Sequence, residues 1–358
     1  MRSPLSDFTL YLTHECNFDC LYCFQERRVG FLEFSAIQEA LDFFQESIAE
    51  NGYIGFYGGE PLLAFDTIAQ TINFIETHKV LNAKKLHYSV STNGTILTEE
   101  VLSFLNTHSF KVNLSYDGTA QDMTRPSKLN SLVRENMDRL IRSPHIELET
   151  NSVFIPATVN EVFRSARLLI ESGIKNCELS YSVGDTWDKV HLDQLREEVR
   201  ELAEYLLSHY HKHSSIPVKN FQSRLGPGLF RCSAGQDRLT LGPDGRLWGC
   251  RFFVDLSTAR GNPDELSAYC FGNIRDFFRE GEAVYSSVIQ KYEALCLENF
   301  SSKGGACRDC PDLLLCTACP ATAAFSTGVV GKIPAWICHM KKMWREEVAR
   351  FWGEAGLD

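Results

Sequence analysis

Cys16, Cys20 and Cys23 stand in the stretch YLTHECNFDCLYCFQ, a C-x3-C-x2-C spacing that supplies three thiols from one short loop and no obvious fourth. The count of ligands constrains what such a loop can hold. A structural zinc ion closes its tetrahedron with four ligands, and a 4Fe-4S cluster that only transfers electrons also takes four cysteines. Three thiolates leave one iron of a cluster open to bind something else.

The remaining cysteines are unevenly placed. The 358-residue chain has 13, of which three lie near the N-terminus, nine lie between Cys232 and Cys338, and Cys177 stands alone between them. An odd number argues against a complete disulfide framework, and such density in a reducing compartment signals metal. Cys177 falls on an apolar strand and is expected in the core. No apolar run approaches ~18 residues, and the N-terminal MRSPLSDF lacks a basic region followed by a hydrophobic one, so a cytoplasmic chain without a membrane segment is expected. The net charge of −10 argues against nucleic acid as a partner and is compatible with a basic peptide segment.

Residues 7 to about 215 read as strands alternating with amphipathic helices. Phe8, Leu10 and Leu12 alternate with Thr9, Tyr11 and Thr13, giving a first strand that ends just before the cysteine loop. Ser35 and Gln38 suggest a capping box for the next helix, whose buried stripe is Ile37, Leu41, Phe44 and Ile48. A second strand covers 53–57, and Asp66 is the expected cap of the helix after it. Strands at LHYSVS, KVNLSY, IELETNSVFI and CELSYS follow, with a long helix carrying Leu192, Leu195, Val199, Leu202 and Leu206. Six strand-helix units in sequence imply an α/β fold with a parallel sheet and helices outside it. The mixed segment from His211 to Gly228 marks an expected boundary between residues 1–215 and 216–358. His209, His211 and His213 close the long helix and read as solvated residues at its C-terminal end rather than a metal site.

Three further segments gain meaning from their places. Gly58-Gly59-Glu60-Pro61 follows the second strand, where two glycines let the backbone approach a ligand closely and Glu60 can face an ammonium group. STNGT ends the third strand, and Ser115-Tyr116-Asp117-Gly118 ends the fourth with Arg125 downstream. The cysteine spacing with Tyr22 before its last member, the GGEP turn and the SYDG segment together resemble the radical S-adenosylmethionine (SAM) enzymes. The resemblance implies an open partial (β/α)6 barrel, TIM-like, whose strand-end loops carry the chemistry. It implies that Cys16, Cys20 and Cys23 hold a 4Fe-4S cluster whose open iron binds SAM, and that Tyr22 lies against the adenine. Gly58, Gly59 and Glu60 would meet the SAM amino group, and Ser115 and Arg125 its carboxylate end. Cleavage of SAM by the reduced cluster then gives a 5′-deoxyadenosyl radical, with the electron supplied by a flavodoxin- or ferredoxin-like donor.

In the C-terminal part, Cys232 and Cys250 flank two short strands, LTL and RLW, joined at Pro243-Asp244-Gly245; such a hairpin brings its two flanking thiols together. Cys307-x2-Cys310-x5-Cys316-x2-Cys319 follows, then Cys338. These seven resemble the cysteine-rich SPASM domain, which carries two auxiliary 4Fe-4S clusters, for three clusters in all. The family's interleaved assignment gives Cys307, Cys310, Cys316 and Cys338 to one cluster and Cys232, Cys250 and Cys319 to the other. The C-x2-C step from Cys316 to Cys319 is one residue shorter than the family's. The fourth ligand of the nearer cluster stays open between Cys270, Cys296 and none. A zinc ribbon is the simpler alternative for these cysteines.

SPASM enzymes divide mainly into anaerobic sulfatase maturases and maturases of ribosomally made peptides. The sulfatase group places an aspartate general base directly after the second SPASM cysteine, whereas Arg251 follows Cys250 here, and an arginine cannot accept a proton. The expectation is therefore a peptide maturase that forms a thioether or carbon-carbon cross-link in a precursor peptide, with formylglycine formation in a sulfatase as the alternative. Because the first strand begins near residue 7, the leader of such a peptide is expected on a separate recognition protein or on the barrel and SPASM surfaces.

Overall fold

The first strand, β1 (Leu5–Thr13), is buried on both faces, with Leu10, Tyr11 and Thr13 all fully enclosed. Simple alternation along the chain predicts one apolar face; a strand in the middle of a covered parallel sheet needs two. The computed structural model describes residues 4–222, 228–259, 263–302 and 305–356. Part of the expected boundary segment, 223–227, lies outside the described residues.

After β1 the chain runs through α1 (Phe34–Phe44), β2 (Ile48–Gly58), α2 (Phe65–Thr77), β3 (His87–Thr92), α3 (Glu99–Thr107), β4 (Lys111–Ser115), α4 (Gln121–Thr124), α5 (Asn130–Ile141), β5 (Glu147–Phe154), α6 (Val162–Glu171), β6 (Cys177–Tyr181) and α7 (Lys189–His213). Neighbouring strands from β1 to β6 are parallel throughout, the repeated strand-helix layout expected of a partial barrel. Two helix starts differ from expectation. The helix α1 begins at Phe34 without a side-chain cap, because the bond from Leu32 N–H to the Leu12 carbonyl fixes the entry before Ser35 is reached. In front of α2 a short 3-10 turn, Pro61–Ala64, takes the N-terminal place, and Glu60 caps that turn, leaving Asp66 inside the first helical turn.

Beyond α7 come α8 (Lys219–Gln222), β7 (Arg238–Leu241), β8 (Arg246–Trp248), α9 (Arg251–Ala259), α10 (Pro263–Ser267), β9 (Cys270–Asn273) and α11 (Ile274–Glu293). The expected LTL/RLW hairpin is β7 and β8, and it continues the barrel sheet: β7 pairs in parallel with β1, giving the order β6-β5-β4-β3-β2-β1-β7-β8-β9. A small sheet of β10 (Ser301–Ser302), β11 (Gly305–Ala306) and β12 (Lys332–Ile333) accompanies α12 (Pro320–Thr327) and α13 (Ala335–Glu354). Helix α13 lies against α7, where Glu347 is buried and takes ion pairs from Arg196, Arg200 and Arg350. Cys177 is in the core, as expected, and burial pushes its thiol up to about 12. His211 and His213 are exposed at the end of α7, while His209 bonds Ser215 at 3.2 Å. Among the described residues no helix is long and apolar enough to cross a membrane.

Candidate functional site

The C-terminal ends of the parallel strands open on one cavity of about 880 Å³, within the range of cofactor and ligand sites. Each strand from β2 to β6 contributes to its wall: Gly58 from β2, Thr92 from β3, Ser115 from β4, Val153 from β5 and Tyr181 from β6. Helix α13 supplies a further wall through Trp336, Met340 and Trp344. Cys16, Cys20, Cys23, Tyr22, Gly58, Gly59, Ser115 and Arg125 all line this cavity, so most of the N-terminal candidates are brought together.

The three thiols of the loop bear on one another. Burial pushes Cys20 up to about 11, with charge at Cys23 and Cys16 adding to the rise, and burial likewise raises Cys16 and Cys23. Cys16 is further placed by Asn93, whose Nδ2 donates to Asn17 Oδ1 at 2.7 Å and reaches Cys16 Sγ at 3.8 Å. Asn93 belongs to the STNGT run, which therefore holds the loop in place.

The glycine pair is demanded by the protein's own backbone. A Cβ on Gly58, whose φ is +143°, would stand 2.3 Å from the Thr13 carbonyl oxygen, and one on Gly59 would stand 2.2 Å from that of Glu15. The turn is pressed against the start of the cysteine loop, and Gly59 and Glu60 N–H groups bond Thr13 and Glu15 across it. Glu60 sits behind the turn. It is fully buried and absent from the cavity wall; its carboxylate accepts from Leu62 N–H at 3.0 Å, Thr92 Oγ1 at 2.8 Å and Asn93 N–H at 2.7 Å. It clamps the ends of β2 and β3 together, and burial raises its pKa to about 7.

Asp117 was named only as part of a motif, yet it organises this side of the site. Fully buried, it accepts from Thr124 Oγ1 at 2.6 Å, Val153 N–H at 2.8 Å, Arg125 Nε at 2.9 Å and the Tyr22 hydroxyl at 3.1 Å. Burial opposes the charge of Arg125, but Asp117, with Tyr22 and Cys20 adding, more than offsets it and the guanidinium stays ionised. Arg125 also lies over the Tyr22 ring, 5.2 Å from its centroid.

The C-terminal thiols sort into two groups. Burial pushes Cys307 up to about 11, and charge at Cys338, Cys316 and Cys310 adds to it. Burial also raises Cys250, to about 12, with Cys319 and Cys232 adding, and Cys319 bears on Cys232 in turn. Charge at Cys319 thus bears on both Cys232 and Cys250 despite the short step before it. Cys319 also lines the central cavity, so one C-terminal thiol faces the same space as the three N-terminal ones. Cys270 is bonded within its own strand region, accepting from Gly272 N–H and donating toward the Leu247 carbonyl, and Cys296 is fully buried. Among the described residues no three or more His, Cys, Asp or Glu side chains close around a point suited to a single metal ion. The donor chemistry, all thiol and grouped three, three and four, suits iron-sulfur clusters, whose cysteines bind separate irons.

The family model for the radical SAM superfamily matches residues 10–199, more than half of the chain. This chain belongs to the radical SAM superfamily. It is a radical SAM enzyme, with relatives and structural likenesses of the SPASM type. It is 25% identical to an uncharacterized protein of Methanocaldococcus jannaschii over 77% of this chain and 91% of that one. It is 22% identical to the radical SAM cyclopropyl synthase TigE of Paramaledivibacter caminithermalis over 83% and 68% of the two chains. Among solved structures, anSMEcpe with bound AdoMet superposes with a TM-score of 0.78 at 18% identity, covering 99% of this chain and 95% of that one. Streptococcus suis SuiB bound to its precursor peptide SuiA gives 0.59 at 15%, covering 94% and 76%. The radical SAM core accounts for the N-terminal half of the site; the cysteine-rich region beyond it shares the whole-chain fold of anSMEcpe.

Proposed function

We propose that this radical SAM enzyme binds SAM beside Cys16, Cys20 and Cys23 and oxidises a residue of a peptide or protein segment held between that loop and the C-terminal cysteines. The observation that carries this reading is the shared cavity, in which Cys16, Cys20 and Cys23 face Cys319 across one space. Cys16, Cys20 and Cys23 would hold the SAM-binding 4Fe-4S cluster. Cys232, Cys250 and Cys319 would contribute to one auxiliary cluster and Cys307, Cys310, Cys316 and Cys338 would hold the other. When bound, these groups supply a carbon-centred radical that takes a hydrogen atom from the substrate and a route for the electron that follows. The chain's own contribution is placement. Ser115 and Arg125 stand on the wall to meet the SAM carboxylate, Tyr22 is fixed by its hydroxyl bond to Asp117, and the Gly58-Gly59 turn lets the cysteine loop close down.

The type of oxidation divides the relatives. Whole-chain fold likeness is greater to anSMEcpe than to SuiB, which supports side-chain oxidation of the sulfatase-maturase type over the cross-linking expected first. Peptide cross-linking remains a second reading on one specific observation: the residue after Cys250 is Arg251, which has no capacity to accept a proton. Anaerobic reconstitution with iron, sulfide, dithionite and SAM is expected to yield 5′-deoxyadenosine, and the triple variant C16A/C20A/C23A none. Mass spectrometry of incubated peptides then divides the readings, because formylglycine in a sulfatase-derived peptide supports the first and a linked pair of residues lacking two hydrogens supports the second. Zinc in place of iron at the N-terminal loop, with no 5′-deoxyadenosine, would overturn both.

A further inference from the structure

The cavity wall carries six cations, Arg27, Arg125, Lys219, Arg251, Lys341 and Arg345, against two carboxylates, Glu178 and Glu346. This is the reverse of the chain as a whole, whose net charge is −10. Most of these cations already have partners: Arg27 pairs with Asp19 at 3.2 Å, Arg125 with Asp117 at 2.9 Å, Lys219 with Glu149 at 3.1 Å and Arg345 with Asp312 at 2.7 Å. Both carboxylates are also engaged, Glu178 with Lys219 and Glu346 with Arg196. Lys341 is exposed to solvent on α13.

Arg251 differs from the rest. It is the first residue of α9, half-buried in the cavity wall next to Cys250, and among the described residues no carboxylate lies within ion-pairing distance of it, although the charges of Asp7 and Asp255 act on it from farther off. Its guanidinium is held by aromatic faces instead, 4.5 Å from the centroid of Tyr57 and 5.4 Å from that of Phe252. The acid one turn along the same helix, Asp255, is fully buried, outside the cavity wall and bonded to the Tyr11 hydroxyl at 2.6 Å. A half-buried guanidinium with no carboxylate in contact favours binding one, and its planar fork matches a carboxylate. Tyr57 directly precedes the Gly58-Gly59 turn, so an anion on Arg251 would sit beside the part of the cavity assigned to SAM. Next to it Phe24 packs at a tilt against Phe325, with centroids 4.3 Å apart, and approaches Phe252 at 6.0 Å, an apolar shelf.

We propose that Arg251 is a specificity-determining residue that receives a carboxylate of the substrate, carried by an aspartate or glutamate side chain or by a free C-terminus, with an apolar neighbour resting on Phe24, Phe252 and Phe325. The inference deepens the function proposed above and rests on it. It also reverses the partner suggested by net charge alone: the chain is acidic, but the segment that enters the site is acidic too.

The test uses the anaerobically reconstituted full-length enzyme with SAM and three N-acetylated tripeptides that share a phenylalanine, amidated at the C-terminus except where stated. One carries glutamate, one carries glutamine at the same position, and one has no acidic side chain but a free C-terminal carboxylate. Calorimetric titration is expected to show the glutamate peptide, the free-carboxylate peptide or both binding at least tenfold more tightly than the glutamine peptide, and the pattern identifies the carboxylate's source. R251Q is expected to remove the difference, and R251K to retain part of it. Equal binding of all three peptides to the wild-type enzyme overturns the proposal. So does a preference that survives in R251Q, or an R251Q effect confined to the reduction potential of the nearer auxiliary cluster, since Arg251 would then only balance thiolate charge. A wild-type enzyme that forms 5′-deoxyadenosine but shows no carboxylate preference overturns this inference while leaving the proposed function standing.

Discussion

Asp255 and Asp117 show how differently two fully buried carboxylates can be used within one site. Asp117 meets four donors, Arg125 among them, and through these bonds fixes Tyr22 and Arg125. Asp255 has the Tyr11 hydroxyl on Oδ1 while Oδ2 makes no hydrogen bond, and burial raises its pKa from the ordinary 3.8 to about 7. A carboxyl whose folded value is raised stabilises the fold while it stays protonated. That contribution is complete below about pH 4 and is lost as pH rises through about 7, with an upper bound on the order of 4 kcal/mol. D255N is therefore expected to be less sensitive than wild type to a shift from pH 5 to pH 8. Paired thermal unfolding at the two values checks this; an equal loss in both proteins would show Asp255 already charged at pH 5. Glu60 shifts in the same direction but is present in both proteins, so it cancels in the comparison.

At the scale of elements, the hairpin and α11 meet at Tyr292. Its hydroxyl accepts from Gly249 N–H at 2.9 Å and donates to the Tyr269 carbonyl at 2.7 Å. Its ring occupies space that a Cβ on Gly235 or Gly249 would enter, at 2.6 and 2.5 Å. The side chain therefore fixes the end of β8 one residue before Cys250. Y292F leaves both backbone groups without this partner and is expected to cost about 2–4 kcal/mol by denaturant titration. Iron should be lost from the nearer auxiliary group before the other two, seen as a fall in iron content with SAM cleavage still measurable. Undiminished iron with full stability would show that the hydroxyl bridge is not what holds Cys250.

For the whole molecule, ten thiols from distant parts of the chain form three groups, two of which border on one cavity. If each group holds one 4Fe-4S cluster, C307A/C310A should lose about a third of the iron and keep SAM cleavage. C16A/C20A/C23A should lose the same fraction and all SAM cleavage. Iron quantitation beside 5′-deoxyadenosine measurement checks both, and equal loss of cleavage in the two variants would show that the groups are not independent.

Much of this was legible because it is local. Three thiols within eight residues declare an incomplete ligand set whatever surrounds them, and the six strand-helix units follow from periodicities of two and 3.6 within short windows. The helix caps at Ser35 and Asp66 were misread because a bond to β1 and a 3-10 turn set those entries, and neither shows in a window of a few residues. The direction of the Glu60 side chain, the joining of Cys319 to Cys232 and Cys250, and the hub at Asp117 depended on packing between elements. So did the isolation of Arg251, since a charge is paired or unpaired according to what folding brings beside it. The carboxylate nearest in sequence is bonded to a tyrosine 244 residues away. Sequence by itself determined the ligand types and the succession of elements, which are properties of neighbours along the chain. Only the tertiary structure decided which ligands share a group and which charges are left facing the cavity, because those are properties of neighbours in space.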